Sequence, residues 1–198
     1  ASGSLNILFS IPVWYALMGA AVWIVLGCSR LFTTSLLYLY VLGHELTHVL
    51  AVYCSRGSVS KFNASLDGGY IQTDKNNLFI SLSPYFLPLW GMLWGLVWGI
   101  VHIFWPTITC EALLYSGLGV WWCFHLFWTA WIIPKDQPDL AGNGTFFSLI
   151  LVYFANLLLF LGLLRLFNAV SINRFLADCL HNAERLWDTA RDLALFTA

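Results

Sequence analysis

Long apolar runs separated by short polar segments dominate the hydrophobicity pattern of this chain. A helix that crosses the hydrocarbon of a bilayer needs about 20 predominantly apolar residues. Five runs meet that length, at residues 7–26, 31–53, 78–105, 113–133 and 146–167. Pro84 and Pro88 lie near the start of the third run, where they predict a kink or a delayed helix start. The pattern therefore predicts about five transmembrane helices.

Two segments outside these runs have other periodicities. Between the second and third runs, the residues at about 56–73 alternate in polarity around a Gly68-Gly69 pair, which predicts a short β-hairpin-like insertion. After the fifth run, apolar residues recur near helical spacing with charged residues between them, at Phe175, Leu176, Leu180, Leu186 and Trp187. This spacing indicates a C-terminal amphipathic helix that lies on the membrane surface or packs against a partner.

The composition agrees with a membrane protein. Of the 198 residues, 60% are hydrophobic and 10% are charged, whereas soluble proteins carry about 25% charged residues. A soluble fold has no use for so much apolar surface, so most of the outside must face lipid. We therefore predict an all-α integral membrane protein, with a transmembrane core over residues 1–168 and the amphipathic helix over residues 169–198.

The net charge bears on the predicted partners, and the distribution of basic residues bears on the orientation of the chain in the membrane. The net charge of -1 gives no electrostatic attraction to nucleic acid. Basic residues divide four against five between the two predicted sides of the membrane, so their distribution favours neither orientation. The predicted partners are the lipid bilayer and a membrane-protein or peptide substrate.

Three ionisable residues lie within five positions of the second run, in the sequence GHELTH. An ionisable side chain at the centre of a spanning helix costs about 2.5 to 3.5 kcal/mol, so each needs a partner or a water-filled cavity. His44 and His48 are four residues apart and project from one face of a helix, where both imidazoles can reach one zinc ion. Glu45 lies next to this face, at the position of a general base for a zinc-bound water. The HExxH spacing is typical of metalloproteases.

The surroundings of this motif resemble a known family. Residues 43–48 (GHELTH), 83–88 (SPYFLP) and 137–148 (QPDLAGNGTFFS) are similar to the small bacterial branch of the site-2-protease-type intramembrane zinc metallopeptidases. The likeness covers roughly residues 40–160. It implies one zinc ion, a proteolytic site within the bilayer, and a multi-pass protein of the bacterial inner membrane.

Three residues compete to complete the zinc site, because catalytic zinc usually keeps three protein ligands. Asp139 precedes the fifth run, where Gly142 and Gly144 let the chain turn inward, and the resemblance also favours it. His125 lies inside the fourth run and is either a ligand or a donor that stabilises the oxyanion of the reaction. Asp67 is the third candidate, although an acid beside two glycines is more often a turn residue. We predict His44, His48 and Asp139 as ligands, with Glu45 and His125 as catalytic residues.

Two functions agree with these residues. The first is an intramembrane zinc endopeptidase that hydrolyses membrane-protein substrates with a zinc-activated water. The alternative is a catalytically silent zinc-binding membrane protein that binds a partner through its C-terminal helix. Glu45 favours the enzyme, because a structural zinc site needs no base beside its ligands. A metal transporter is disfavoured, since transport needs ionisable residues along a path through several helices.

Overall fold

The structure, a computed structural model, describes residues 10–29, 33–108, 110–135, 137–167 and 172–196. Of these residues 75% are helical, and the same residues include one small antiparallel sheet. The helices are α1 (Ile11–Cys28), α2 (Thr33–Cys54), α3 (Leu78–Leu82), α4 (Leu89–Phe104), α5 (Glu111–Ile132), α6 (Pro138–Ala141), α7 (Thr145–Leu166) and α8 (Ile172–Phe196). Residues 7–9, the start of the first predicted run, lie outside the described residues.

The fold exposes many large apolar side chains and buries several polar ones beside its hydrophobic core. Large apolar side chains are exposed along the long helices, and Phe146 and Ile103 are 79% and 76% exposed. Polar side chains such as His48, Ser83 and Ser148 are instead buried. Because lipid solvates apolar surface and cannot hydrogen-bond polar groups, this distribution suits a protein within a bilayer.

The structure supports a membrane protein without fixing the number of crossings. In the part of the chain that the structure describes, two helices, α2 and α7, are long and apolar enough to span a membrane. The segments Leu78–Tyr85 and Leu89–Phe104 are bent by 78° at their junction. If they count as one broken helix, they add a third span. Pro84 and Pro88 lie at this break, as their positions in the sequence predict.

Helices α1 and α5 pack closely along their length. Glycine makes the contact possible, because a Cβ at Gly19 would collide with the Ser116 backbone and one at Gly119 with the Ala16 backbone. Beside this contact, Trp23 of α1 meets Tyr40 of α2 and Phe124 and Trp128 of α5 in a buried aromatic cluster. This cluster fixes the helix that carries the HExxH motif against its neighbours.

The predicted hairpin is present after α2. Strands β1 (Val59–Ser65) and β2 (Gly68–Thr73) are antiparallel, with Phe62 opposite Ile71 and Ala64 opposite Gly69. Gly68 follows the two-residue turn with φ of 129°, a conformation that favours glycine. Both strands contact α2, so the hairpin folds back over the motif-bearing helix.

A short connection brings the chain from α5 back towards α2. Helix α6 has only four residues, and Leu140 within it is buried against Leu82, Tyr85 and Val152. The Ser148 hydroxyl donates to the Leu140 carbonyl at 3.0 Å, which ties α6 to the first turn of α7. This anchoring holds the neighbouring Asp139 at a fixed place beside α2.

Candidate metal centre

Two elements far apart in sequence supply the candidate metal ligands. Helix α2 presents His44 and His48 one turn apart, with ring centroids 5.0 Å from each other. Helix α6 presents Asp139, whose Oδ2 lies 3.6 Å from His44 Nε2 and 3.3 Å from His48 Nε2. Among the described residues, these three form a group whose ligand atoms all lie within 4.8 Å of one another. The group can hold a metal ion.

The spacing of these atoms also suits a shared metal ion. The His48–Asp139 pair is within hydrogen-bond distance, and both separations are longer than the roughly 2.7 to 2.9 Å of a short charge-assisted hydrogen bond. Two ligands of a tetrahedral zinc ion, each at about 2.0 to 2.1 Å, are instead about 3.3 Å apart. The separations of 3.3 and 3.6 Å lie near the second value.

The tautomer of His48 is set by its other ring nitrogen. His48 Nδ1 lies 2.8 Å from the Ile80 carbonyl oxygen, which can only accept, so Nδ1 carries the proton. Nε2 is then the ring nitrogen that faces Asp139: its lone pair can bind a metal ion, and without a metal it carries the proton of a hydrogen bond to the carboxylate. His44 Nδ1 lies 3.4 Å from the Tyr40 hydroxyl, which gives it a weaker contact of the same kind. Such partners behind ligating histidines are usual in metal sites.

The carboxylate is also in the right state to bind a cation. Asp139 lies in α6, outside the helices long enough to span a membrane. Burial alone raises the pKa of its carboxyl, but hydrogen bonds with His44 and His48 outweigh burial and hold the pKa below its usual range. Because metal ligands must be deprotonated, an ionised Asp139 suits this role.

Glu45 completes the motif next to the ligands. Glu45 is 6% exposed, and its carboxylate packs against β2 at Gly69. A Cβ added at Gly69 would come within 2.7 Å of Glu45 Cδ and Oε1. The hairpin therefore lies so close to the candidate base that any side chain at position 69 would require the Glu45 carboxylate to shift.

A cavity of about 630 Å³ gives access to these groups. Glu45 and the three candidate ligands line it, together with Tyr70 of the hairpin and Lys135 after α5. Small-molecule and peptide sites typically have volumes of about 300 to 1,000 Å³. The cavity is thus large enough for a segment of peptide beside the candidate metal centre.

The other two candidates for the third ligand lie elsewhere. Asp67 occupies the hairpin turn and lines the large cavity, but it is not part of the ligand group. His125 lies in α5 and, with His44, lines a smaller cavity of about 20 Å³. Its Nε2 is buried with no hydrogen-bond partner among the described residues. The catalytic role of His125 remains a prediction.

Sequence reasoning missed three residues of this site. The Tyr85 hydroxyl lies 3.3 Å from Asp139 Oδ2 and 3.4 Å from Gln137 Oε1. Tyr40 lies one helical turn before His44, and its ring contacts the His44 ring at 5.8 Å. The i to i+4 spacing of Tyr40 and His44 was a usable signal. Tyr85 and Gln137 gave none, because their partners are distant in sequence or lie in irregular backbone.

Comparison of the chain with protein-family models, curated proteins and solved structures finds no match. The chemistry open to the site follows from its own residues. Two imidazoles and one carboxylate suit zinc, which accepts nitrogen and oxygen ligands and leaves a fourth position for water or substrate when its site is catalytic.

Proposed function

We propose that this protein is an intramembrane zinc endopeptidase that hydrolyses peptide bonds of membrane-protein substrates. The observation that carries the proposal is the meeting of His44, His48 and Asp139 beside Glu45 on the wall of one large cavity. A structural metal site has no need of a buried glutamate next to its ligands or of an adjacent cavity. The resemblance of residues 40–160 to site-2-protease-type enzymes, which rests in part on the same residues, agrees with the proposal.

In the proposed hydrolysis, three residues bind the metal and Glu45 transfers the proton. His44, His48 and Asp139 would hold a zinc ion, and the Ile80 carbonyl keeps His48 in the correct orientation. A bound zinc ion would supply a water molecule of lowered pKa and would polarise the substrate carbonyl. Glu45 accepts a proton from the water as the water oxygen bonds to the carbonyl carbon. It then passes this proton to the amide nitrogen, which leaves as an amine when the C–N bond breaks.

The large cavity positions an extended substrate. Because β2 lines the cavity, a peptide that enters lies beside its backbone. A protease needs its substrate unwound, since a helical peptide keeps its carbonyls in internal hydrogen bonds. Pairing with a strand edge is a common way to hold an extended peptide.

In this proposal the chain crosses the membrane five times. The crossings are α1, α2, the bent α3–α4 pair, α5 and α7. Helix α8 then lies on the membrane surface, where its exposed Leu176, Leu180, Leu186 and Trp187 meet lipid. On the basis of the resemblance, we propose that this membrane is a bacterial inner membrane.

Metal content tests the proposal first. Zinc per chain is measured in detergent-purified wild type, Glu45→Gln, Asp139→Asn and Asp67→Asn. We expect about one zinc in wild type and in Glu45→Gln, and a loss of zinc in Asp139→Asn. Asp67→Asn is the matched control, because Asp67 lines the same cavity outside the ligand group.

Hydrolysis of a fluorescently labelled unfolded protein, casein, in the same detergent gives the second measurement. We expect wild type and Asp67→Asn to cleave it and Glu45→Gln to be inactive with its zinc retained. A wild type without zinc would contradict the proposal. Zinc in wild type without any hydrolysis that depends on Glu45 would leave the silent zinc-binding protein as the better description.

A further inference from the structure

Tyr85 is a fully buried tyrosine whose hydroxyl meets the candidate metal ligand from a third element. It ends the short 3-10 turn Ser83–Tyr85, between α3 and α4, and its relative exposure is 0%. The hydroxyl lies 3.3 Å from Asp139 Oδ2, the same oxygen that faces His44 and His48. The hydroxyl therefore contacts the atom on which the ligand group converges.

The position of this hydroxyl is fixed on several sides. The Asn156 side chain of α7 donates to the Tyr85 carbonyl at 2.9 Å and so holds its backbone. The Tyr85 ring stands edge-on to the His44 ring, with centroids 5.1 Å apart and planes at 90°. Leu82, Leu140 and Val152 bury the rest of the side chain. A group held this firmly can orient its partner.

Gln137 offers the hydroxyl a second acceptor and is itself oriented. Its Nε2 donates to the Lys135 carbonyl at 2.9 Å, which leaves Oε1 facing Tyr85 at 3.4 Å. A phenol has one proton, so it donates to Asp139 or to Gln137 at any moment. The contact with Asp139 is the one that can influence a metal.

We propose that Tyr85 is a positioning residue for metal binding: it donates a hydrogen bond to the Asp139 carboxylate and holds it towards His44 and His48. The inference rests on the metal site of the proposed function and extends it to a residue that does not ligate. Asp139 needs this support because its helix has only four residues and its side chain is 31% exposed. Removal of a partner behind a metal ligand typically weakens metal affinity 10- to 100-fold.

The test compares Tyr85→Phe with wild type and with Tyr153→Phe, a control on the exposed surface of α7. The zinc dissociation constant is measured in detergent by competition with a chelating dye, and thermal unfolding is followed with and without zinc. We expect Tyr85→Phe to raise the dissociation constant about 10- to 100-fold, with little change in the unfolding temperature of the zinc-free protein. Tyr153→Phe should leave both quantities unchanged.

A second variant, Gln137→Met, removes the competing acceptor and leaves Asp139 as the acceptor for the hydroxyl. We expect its zinc affinity to be at least that of wild type, and a tenfold weaker affinity would overturn the inference. Tyr85→Phe with wild-type affinity, or with a lower unfolding temperature and no change in affinity, would also overturn it. Each of these results would leave the proposed function intact. A wild type that binds no zinc would instead contradict the proposed function itself.

Discussion

At the scale of single residues, the contact between Glu45 and Gly69 shows how the hairpin and the candidate base depend on each other. Gly69 belongs to β2, opposite Ala64 of β1. Its missing side chain leaves the space that the Glu45 carboxylate occupies. The glutamate can therefore keep its present position beside His44 and His48 only while position 69 has no Cβ, and an added Cβ would displace its carboxylate.

Gly69→Ala is expected to displace the Glu45 carboxylate without removing a metal ligand. Because misplacement of a reacting group by about 1 Å can cost on the order of 100-fold in rate, we expect hydrolysis to fall at least tenfold. Zinc content should remain about one per chain. The measurements are casein hydrolysis and zinc analysis on the same preparation, with Ala64→Gly as a control on the opposite strand. Full activity in Gly69→Ala would contradict this account of the contact.

The motif residues of the site were predictable and their supporting residues were not. The spacing of His44, Glu45 and His48 along one helix is local information, which the period of the α-helix converts into a shared face. Asp139 is 91 positions from His48, so residue patterns left it among three candidates and the resemblance favoured it. Tyr85 depends on the break after α3 and on the path of the α5–α6 connection. No local pattern encodes that meeting.

At the scale of elements, hydrogen bonds of Asp74 and Lys75 close the base of the hairpin, and we call this group of contacts the clasp. The Asp74 carboxylate accepts from the Ser58 backbone N–H at 2.7 Å and from the Ser58 hydroxyl at 2.8 Å. The Lys75 ammonium donates to the Ser55 carbonyl at 3.0 Å, just after α2 ends. The clasp thus joins the two ends of the hairpin and ties them to the motif-bearing helix.

The clasp should weaken in acid. Hydrogen bonds from the Ser58 backbone and hydroxyl lower the pKa of Asp74 in the folded state. A group with a lowered folded pKa stabilises the fold above its unfolded pKa, which is about 3.9 for aspartate, and this stabilisation is lost as the pH falls through the folded pKa. We expect amide hydrogen exchange in residues 56–75, corrected for intrinsic rates, to accelerate in wild type from about pH 5 to about pH 3. Asp74→Asn should exchange faster at both values, and an unchanged rate in that variant would argue against the clasp.

The contact between α1 and α5 should be sensitive to any added side chain. Gly119→Val places carbon atoms where the Ala16 backbone lies, and overpacking of this kind costs about 1 to 3 kcal/mol. We expect a lower unfolding temperature in detergent for this variant. Gly99→Ala in α4 is the matched control, because a Cβ there meets no atom within 4 Å, and alanine favours the helix. Equal unfolding temperatures for Gly119→Val and wild type would contradict the close packing.

The sequence predicted the positions of the helices along the chain more accurately than the angle between them. Apolar runs located α2, α5 and α7 to within a few residues, because the helix is the structure that satisfies the backbone inside lipid. The two prolines located the break before α4. The 78° bend did not follow from them, since its size depends on how Tyr85 and Leu82 pack against α6 and α7.

At the scale of the whole molecule, the ligand group constrains how the chain crosses the bilayer. His48 lies towards the end of α2 that carries Cys54, and Asp139 must reach it from α6. Helix α5 leads into this connection and has 22 residues, so it is about 33 Å long. Its start at Glu111 is therefore about one membrane thickness away from the candidate metal centre.

Two native cysteines report on this arrangement, because Cys54 ends α2 and Cys110 precedes α5, and both are exposed. If the bent α3–α4 pair crosses the membrane, the two thiols lie on opposite sides. We expect a membrane-impermeant maleimide to label a variant that retains only Cys54 from one side and a variant that retains only Cys110 from the other, in intact and inverted membrane vesicles. A single cysteine at Asn143, an exposed position after α6, should label from the Cys54 side.

Labelling of Cys54 and Cys110 from the same side would make the α3–α4 pair re-entrant. Helix α5 would then have to lie at a shallow angle to bring Asp139 to His48, and the five-crossing arrangement would be wrong even with the metal centre intact.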